Sequence, residues 1–274
     1  MILVTGGTGK TGGRLATRLG ARGVSARVAS RSGQGPEGVR FDWADPATFA
    51  PALEGAEAAY LVAPTDRTDS LDAMRPALEA ALEAGLRRFV LLSSSALPEG
   101  GPMMGAVQVW LRAHAPEWAA LRPSWFMQNF SEAQHLSTIR GEGAIYSATG
   151  EGRIAFVDAD DIAAAAEAAL LAPEPLQGEA ILTGPGALSY DDAAQAISAA
   201  SGREVRHVRL SSVELARHLA DQGLPPDYAL SLAAMDAELA RGTENRVTGG
   251  VLRLAGRPPG SFESFAAKAA ASWR

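Results

Sequence analysis

The stretch Val4–Gly13 (VTGGTGKTGG) has the residue types and spacing of a phosphate-binding turn, because closely spaced glycines let a backbone approach a phosphate. Two kinds of turn compete for it. A nucleoside-triphosphate P-loop, G-x-x-x-x-G-K-[ST], would use Lys10 and Thr11, but its first glycine falls on Val4. The P-loop interpretation fails at the residue that lets that loop turn, which favours a dinucleotide-binding turn.

A dinucleotide turn needs a strand before it and a helix after it. Met1–Thr5 is apolar and predicts a buried strand, and Thr11–Arg22 predicts a helix with Leu15 and Leu19 on one face. The N-terminus of that helix would bind a pyrophosphate through its free N–H groups and its dipole. The residues of the turn that we predict to contact the cofactor are Gly6, Thr8, Gly9, Lys10, Thr11 and Gly12.

The end of the next predicted strand, Ser25–Ser30, distinguishes NADP from NAD. An NAD enzyme places an acidic residue there, which binds the ribose 2′-hydroxyl. This chain has Arg31 flanked by Ser30 and Ser32, and a guanidinium with two hydroxyls suits a 2′-phosphate. The sequence therefore predicts NADPH as the cofactor, with Lys10 supplying a second positive charge.

Strands and helices alternate through the first half of the chain, which predicts an α/β Rossmann fold with a doubly wound parallel sheet. Further predicted strands are Val39–Asp42, Ala58–Ala63, Phe89–Leu92 and Trp118–Leu121. Predicted helices are a short one capped by Asp45, Leu71–Glu83 and Val107–Ala113.

After about residue 145 the alternation loosens. We expect short strands at Ile154–Val157 and Ile181–Thr183, a capping box that opens a helix at Ser189, and two or three helices over Ser211–Gly242. The predicted organisation is an NADP-binding Rossmann domain over residues 1–145. A smaller α+β substrate lobe over residues 146–274 is interleaved with the Rossmann core.

The composition argues against several classes of function. The chain has 274 residues, 47% of them hydrophobic, and no cysteine, which excludes disulfides and thiolate sites. A net charge of -6 argues against a nucleic-acid surface, and no apolar run approaches the ~20 residues of a membrane helix. The four histidines lack ligand spacing, and the aspartate pairs at 160/161 and 191/192 are typical of helix caps, so no metal is predicted. We expect a cytoplasmic protein that acts on a small molecule, without nucleic-acid or membrane partners; the oligomeric state stays open.

Ligands of doubly wound sheets bind beyond the carboxyl ends of the strands. Three segments lie there, Ala63–Thr65, Ser93–Ser95 and Arg122–Phe130 (RPSWFMQNF). We expect the serine run to face the nicotinamide and the aromatic residues of the last segment to form an apolar wall for an organic substrate. The remaining predicted cofactor contacts are Ser30, Arg31, Asp42, Trp43, Ala63, Pro64 and Ser93.

A familiar proton donor is missing from the chain. Short-chain dehydrogenases usually protonate their product through a Tyr-x-x-x-Lys pair, in which the lysine lowers the tyrosine pKa. Four residues after the tyrosines at 60, 146, 190 and 228 stand Pro64, Gly150, Ala194 and Leu232. No lysine lies between Lys10 and Lys268. Reduction of a ketone, which leaves an alkoxide to be protonated, therefore lacks its usual acid.

Motifs along nearly the whole chain resemble the NmrA-like atypical short-chain dehydrogenases, and within them most resemble the festuclavine and agroclavine dehydrogenases of ergot-alkaloid pathways. The motifs are GGTGKTG, VASRS, FDW, YLVAP, RFVLLSSSA, GGPMMG, LRPSWFMQNF, IYSATGEG, PPDYA and RPPGSFESFA. By this resemblance, the dehydrogenase tyrosine and lysine positions fall near Gly100 and Met104, and Gln108 lies where many relatives carry glutamate.

The resemblance implies reduction of an iminium bond by NADPH, which neutralises a cation and needs no proton donor. A pocket for such a substrate would use aromatic faces, each contributing ~0.5–2 kcal/mol by cation–π attraction. We therefore assign substrate positioning, without a general acid, to Ser95, Trp125 and Tyr60. The other predicted pocket residues are Met104, Gln108, Trp110, Phe126, Met127 and Asn129.

Two other functions remain open on the same scaffold. A quinone or enone reductase would be favoured by a pocket acid near Gln108 or Ser95. A non-enzymatic NADP-sensing regulator would bind the cofactor without turnover and present a surface for a partner.

Overall fold

The computed structural model describes residues 1–35, 37–64, 67–132 and 134–274, which form two compact units. The first unit comprises Met1–Pro123, Ala159–Ile181 and Arg253–Gly256, and the second comprises Ser124–Asp158, Leu182–Leu252 and Arg257–Arg274. The division therefore differs from a boundary at residue 145. Residues 124–145 belong to the second unit, and residues 159–181 return to the first.

The described chain contains nine strands and eleven α-helices. The strands are β1 Ile2–Val4, β2 Ala26–Ser30, β3 Gly38–Arg40, β4 Ala58–Val62, β5 Arg88–Leu92, β6 Glu117–Pro123, β7 Ala144–Ser147, β8 Gly178–Leu182 and β9 Arg206–Arg209. The helices are α1 Lys10–Ala21, α2 Phe49–Leu53, α3 Ser70–Glu83, α4 Met104–His114, α5 Leu136–Glu142, α6 Ala159–Leu171, α7 Tyr190–Ser201, α8 Ser212–Asp221, α9 Pro226–Ala240, α10 Gly250–Ala255 and α11 Phe262–Ala269.

The seven-stranded sheet has the order β3-β2-β1-β4-β5-β6-β8. Every pairing from β3 through β6 is parallel, and Val4 of β1 lies between Val28 and Tyr60 on its two neighbours. The strand order reverses at β1, because β2 and β3 lie on one side of it and the later strands on the other. This confirms the predicted doubly wound α/β fold and places its switch point at the β1/β4 crevice.

One face of the sheet is buried by α2, α3 and α4. Leu3, Leu61 and Phe89 form its central apolar contacts, together with Met74 of α3 and Leu111 of α4. These strands are apolar on both faces because helices cover both, so burial does not alternate along them.

Helix α6, which the sequence indicated only through the aspartate pair at 160/161 in its first turn, explains why residues 159–181 belong to the first unit. It packs against α1 and strands β4–β6, and ten of its thirteen residues are buried. Glu167, whose side chain is 5% exposed, pairs with Arg18 (2.5 Å) and Arg22 (2.7 Å), and Arg14 pairs with Asp160 (3.0 Å). These ion pairs join α6 to the helix that follows the glycine turn.

The second unit is built on the parallel pair β7–β9 and an aromatic cluster. Phe130 lies at the centre of this cluster, with ring centroids of Phe156, Tyr190 and Phe262 between 5.3 and 5.6 Å away. The indole of Trp273 donates a 2.7 Å hydrogen bond to the carbonyl of Phe130, which holds the C-terminal segment on the cluster.

Some predicted elements of the second half are confirmed and others are wrong. The capping box at Ser189 with Asp192 is present, as are two helices within 211–242. Ile154–Val157 is not a strand; its two ends make only isolated bridges to Leu188 and Phe126. Within the described ranges, no helix is both long and apolar enough to cross a membrane.

Candidate functional site

The glycine turn connects β1 to α1 at the carboxyl edge of the sheet. Gly6 has a φ of +59°, a left-handed conformation that side chains disfavour. The amide of Gly7 donates to the carbonyl of Ala29 (3.0 Å), and the amide of Gly9 donates to the carbonyl of Gly6 (2.8 Å). Backbone hydrogen bonds thus fold the turn tightly against β2.

Two glycines of this turn have no room for a side chain. A Cβ on Gly12 would lie 2.3 Å from the Gly6 carbonyl oxygen, and one on Gly7 would lie 2.3 Å from a methyl of Val28. Helix α1 begins after Gly9, and no described side chain caps its N-terminus. The donor set therefore fits an anion: a glycine-lined turn leads directly to a helix N-terminus.

Tyr60 holds the helix rather than a substrate, which corrects its predicted role. Its side chain is fully buried, and its hydroxyl donates a 3.1 Å hydrogen bond to Thr11 Oγ1 in the first turn of α1. Burial raises the pKa of the Tyr60 phenol well above its usual range, so the phenol remains a hydrogen-bond donor. Thr5 continues this connection, because its hydroxyl donates to the carbonyl of Tyr60 (3.0 Å) and accepts from the amide of Val62 (2.7 Å).

The predicted 2′-phosphate residues lie on one loop after β2. The Ser30 hydroxyl accepts a 3.0 Å hydrogen bond from the amide of Gly33 and lies 3.3 Å from the Ser32 hydroxyl. Arg31, between the two serines, is exposed to solvent. The loop is therefore ordered by its serines and presents its guanidinium outward.

Asp42 and Trp43 follow β3 at the same edge of the sheet. The Asp42 carboxylate accepts from the amide of Ala44 (3.0 Å), and the Trp43 indole donates to the carbonyl of Val62 (3.2 Å). The half-buried Trp43 ring therefore bridges the ends of β3 and β4. Next to it, Ala63 is buried and Pro64 is half-buried, whereas Thr65 lies outside the described residues.

Ser93, at the carboxyl edge of the sheet, has a buried hydroxyl whose hydrogen-bonding capacity the described residues do not satisfy. It follows β5 directly, and its amide donates a 2.7 Å hydrogen bond to the carbonyl of Leu121. Its hydroxyl is buried and has no hydrogen-bond partner among the described residues. A buried hydroxyl without a partner is costly, so this atom fits a polar ligand group such as a carboxamide.

Arg122 organises the rest of the serine run. Its Nε donates to the Ser94 carbonyl (3.2 Å), and its Nη2 donates to the Ser95 carbonyl (3.0 Å). Its Nη1 binds both carboxylate oxygens of Glu179 on β8 (2.8 and 2.9 Å). Gln108 donates to the same carboxylate at 2.8 Å and is fully buried, so it supports this network and does not line a pocket as predicted.

Two other predicted pocket residues of the first unit are also core residues. Trp110 is 8% exposed and packs in the core with the ring of His114 stacked on it at 4.6 Å. Met104 is half-buried against the same core. Trp110 was predicted as an aromatic face for a cation and Met104 through the family resemblance, whereas both residues pack on the core side of α4.

The aromatic segment after β6 belongs to the second unit. Trp125 and Phe126 are half-buried, and the backbone around them is held by Val157, whose amide donates to the Trp125 carbonyl (2.9 Å). Met127 is buried and its amide donates to the carbonyl of Val157 (3.0 Å), while Asn129 is half-buried. Both large rings therefore retain exposed surface.

A cavity of about 200 Å³ lies in the second unit. Its walls are largely apolar, with one hydroxyl and one carboxylate: Met127, Phe156, Pro185, Gly186, Leu188, Ser261, Phe262 and Glu263. Ligand pockets usually measure ~300–1,000 Å³, so this cavity has room for one ring and not for a polycyclic molecule.

A serine–histidine–aspartate arrangement in the second unit does not form a nucleophilic site. Ser147 Oγ lies 2.8 Å from Nε2 of His207, and Asp191 is 3.5 Å from the other ring nitrogen. Ser147 is completely buried and also hydrogen-bonds Thr149 (2.7 Å), so no substrate can reach its hydroxyl. Burial lowers the pKa of His207, which suits a neutral structural imidazole.

The sheet order, the glycine turn at its switch point and the helix that follows define a dinucleotide-binding protein of the Rossmann class. The NAD(P)H-binding family model matches residues 6–173, and the NmrA-like family model matches residues 106–248. The chain belongs to the NmrA-like family and is an NAD(P)-dependent oxidoreductase by class, as the sequence motifs implied.

Relatives align over nearly the full chain. The oxidoreductase YesF of Bacillus subtilis is 46% identical over 99% of this chain and 96% of its own length. Agroclavine dehydrogenase of Claviceps fusiformis is 39% identical over 96% of this chain and 95% of its own length. The fold is also that of the NADPH-dependent quinone oxidoreductase QOR2 of Escherichia coli, solved with NADPH, with a TM-score of 0.76 and 22% identity over 98% of this chain and 99% of that one.

The close approach of α1 to the glycine turn predicts opposite effects of two alanine substitutions in one helix. Gly12→Ala places a methyl against the Gly6 carbonyl and should lower the free energy of unfolding by about 1–3 kcal/mol. Gly20→Ala places a methyl with no described atom within 4 Å and should raise it by about 0.5–1 kcal/mol. Urea unfolding of both variants checks this; equal effects would contradict the packing.

Asp236 on α9 predicts a pH dependence of stability. Its carboxylate accepts one 3.2 Å hydrogen bond from the amide of Ala148, and burial raises its pKa from 3.8 to about 7. The folded protein therefore holds a proton that the unfolded chain has released, and stability falls as pH rises through this window, by up to about 1.4 kcal/mol per pH unit. The advantage of Asp236→Asn over the native chain should grow from pH 5 to pH 7 and then level off.

Thermal or urea unfolding at a series of pH values measures this difference. The control is Asp227→Asn, which removes an exposed aspartate from the same helix without uncovering a buried charge. A constant difference between Asp236→Asn and the native chain across this pH range would show that Asp236 is ionised throughout.

Proposed function

We propose that the protein is an NADPH-dependent reductase that delivers hydride to the C=N bond of a small cyclic substrate, either an iminium ion or an imine that has already taken up a proton from solvent. The observation that carries this proposal is the missing proton donor. Lys10 and Lys268 are the only lysines, and Met104 stands where the resemblance places the catalytic lysine. Reduction of an iminium neutralises a cation and leaves an amine, so it requires no acid to protonate the nitrogen.

The name of agroclavine dehydrogenase supports a nitrogen-containing substrate. That relative shares 39% of its residues with this chain over nearly the full length of both. We therefore propose an alkaloid-like ring as the class of substrate, and a cyclic imine or iminium is the simplest compound of that class.

The cofactor assignment to NADPH is supported by the loop after β2. Arg31 is exposed between two serine hydroxyls that are themselves ordered by hydrogen bonds. A guanidinium binds a phosphate through two parallel hydrogen bonds, which a ribose hydroxyl cannot match. Lys10 at the glycine turn adds positive charge on the same edge of the sheet.

When bound, the nicotinamide supplies the hydride. The chain's own contribution is to position the reactants, which can supply most of the rate of a two-body reaction. The glycine turn and the N-terminus of α1 would hold the pyrophosphate, and Ser93 would offer its hydroxyl, which has no hydrogen-bond partner among the described residues, to the carboxamide. Ser95, which is 4% exposed, is assigned to orient the substrate.

Aromatic surface is the feature of the second unit that suits a cationic ring. Trp125 and Phe126 are half-buried and retain exposed faces, which attract a cation by about 0.5–2 kcal/mol each. With Tyr60 and Trp110 buried in the first unit, these two rings carry the proposed cation–π contact.

Oxidation of NADPH against a panel of cyclic iminium salts, imines, quinones and enones tests the reaction class. We expect turnover of the iminium salts, and of the imines through their protonated form, with at least a hundredfold lower kcat/KM for quinones and enones. Hydride transfer to a cation neutralises its charge and needs no acid, and a hundredfold difference corresponds to about 2.7 kcal/mol. Turnover confined to quinones or enones would replace the proposal with the second reductase class. Tight NADPH binding without any turnover would favour a cofactor sensor.

Arg31→Ala tests the choice of cofactor. Loss of a charge-assisted contact of about 1.5–3 kcal/mol should weaken NADPH binding roughly tenfold to a hundredfold and leave NADH binding within about twofold. Fluorescence titration of both cofactors measures this. Arg87→Ala, an exposed arginine at the opposite edge of the sheet, is the matched control. Equal losses for NADPH and NADH would remove the 2′-phosphate assignment.

A further inference from the structure

Two arginines hold opposite ends of the central strands in the same way. Arg122, near the carboxyl end of β6, binds Glu179 and the carbonyls of Ser94 and Ser95. The second arginine, Arg88, lies at the amino end of β5. Their side chains are 10% and 14% exposed, so both guanidiniums are largely withdrawn from water.

Arg88 contacts the same kinds of group as Arg122, one carboxylate and two carbonyls, at the other end. Its Nε donates to Glu117 at 2.6 Å, and its Nη1 donates to the carbonyls of Leu170 (2.9 Å) and Ala172 (2.6 Å). The two clusters differ in which segment supplies the carbonyls: the last turn of α6 and the residue after it for Arg88, and the serine run for Arg122.

The serine run needs this support because it lies beyond the end of β5. Two backbone hydrogen bonds continue the β5–β6 ladder into it, from the Ser93 amide to Leu121 (2.7 Å) and from the Ser95 amide to Pro123 (2.9 Å). The carbonyls of Ser94 and Ser95 have left the ladder and receive hydrogen bonds from Arg122. Without the guanidinium both carbonyls lose the Arg122 donor, whereas the Ser94 carbonyl keeps a 3.2 Å hydrogen bond from the amide of Leu97, and the run gains freedom to shift.

We infer that Arg122, held in place by Glu179, is a positioning residue for hydride transfer, because it fixes the serine run whose Ser93 and Ser95 we assign to cofactor and substrate. The inference rests on the proposed function of that run. Its physical basis is that rates fall steeply when reacting groups are displaced, by about a hundredfold for a misplacement near 1 Å. Gln108 contributes by donating to the second side of the Glu179 carboxylate.

The test compares Arg122→Lys with Arg88→Lys. A lysine keeps the charge and can reach the carboxylate, but it lacks the planar fork that also reaches two carbonyls. Both variants remove equivalent contacts, so they should lower the melting temperature by similar amounts. Arg122→Lys alone should raise amide hydrogen exchange at residues 93–97 of the cofactor-free protein, by about tenfold or more.

The value of kcat should also distinguish Arg122→Lys from Arg88→Lys. Arg122→Lys should lower kcat by about tenfold to a hundredfold and leave the NADPH dissociation constant within about threefold, since the pyrophosphate and 2′-phosphate contacts lie on other loops. Arg88→Lys should change kcat by less than about twofold. All assays run below both melting temperatures, with whichever substrate the native protein reduces.

Two outcomes would overturn the inference. One is an equal fall of kcat in both variants, which would show that the arginines act only through stability. The other is faster exchange at residues 93–97 with unchanged kcat, which would show that the position of the run does not matter. Glu179→Gln is the milder second variant: it keeps an acceptor for Arg122 and should give smaller effects of the same sign.

The failure of this inference and the failure of the proposed function look different. If the proposed reaction class is wrong, the native protein will not reduce iminium salts. A wrong positioning role appears as no difference between Arg122→Lys and Arg88→Lys, and the exchange experiment needs no substrate at all.

Discussion

The site depends on one close approach, between the first turn of α1 and the glycine turn that precedes it. At this point a hydrogen atom fits and a methyl group does not, because the Gly6 carbonyl lies 2.3 Å from where a Cβ of Gly12 would be. The Tyr60 hydroxyl then ties Thr11 to β4, on the other side of the switch point. The helix N-terminus is thereby aimed at the crevice in which a doubly wound sheet binds its ligand.

Ion pairs between α6 and the helix that follows the glycine turn stabilise this arrangement. Glu167 is almost inaccessible to solvent and is paired with Arg18 of α1 and with Arg22, the residue that follows α1, so the helix that presents the turn is attached to α6. A buried carboxylate is tolerated because both of its oxygens are paired. Arg122 and Arg88 are paired in a similar way at the two ends of β5 and β6. Each guanidinium donates hydrogen bonds to backbone carbonyls as well as to a carboxylate.

The sequence predicted best where backbone geometry demands one residue type. Gly7 and Gly12 are required by contacts that no other residue allows, so their spacing identified the turn, the strand before it and the helix after it. The capping box at Ser189 was predictable for the same reason, since two side chains must satisfy two specific amides.

Side-chain direction was much less predictable. Tyr60 and Trp110 were assigned to a pocket because aromatic rings suit a cation, but both rings are buried in the core. Tyr60 lies on β4, a strand buried on both faces, and Trp110 lies on the buried face of α4, so neither sequence pattern says which ring reaches the ligand. Gln108 was assigned by its place in the chain, and its actual partner Glu179 is 71 residues away. Helix α6 is rich in alanine with little amphipathic contrast, because its neighbours bury almost all of it, and it gave no periodic signal.

The central claim is that hydride reaches a C=N carbon without a protein acid. Its most direct measurement is the solvent isotope effect on single-turnover oxidation of NADPH by a quaternary iminium salt, followed across pH 6–9. Transfer without a proton donor predicts an effect close to one and a rate that does not fall with an acidic group's deprotonation. A solvent isotope effect of about two or more, together with a fall in rate at high pH, would show that a side chain donates a proton and would contradict the account.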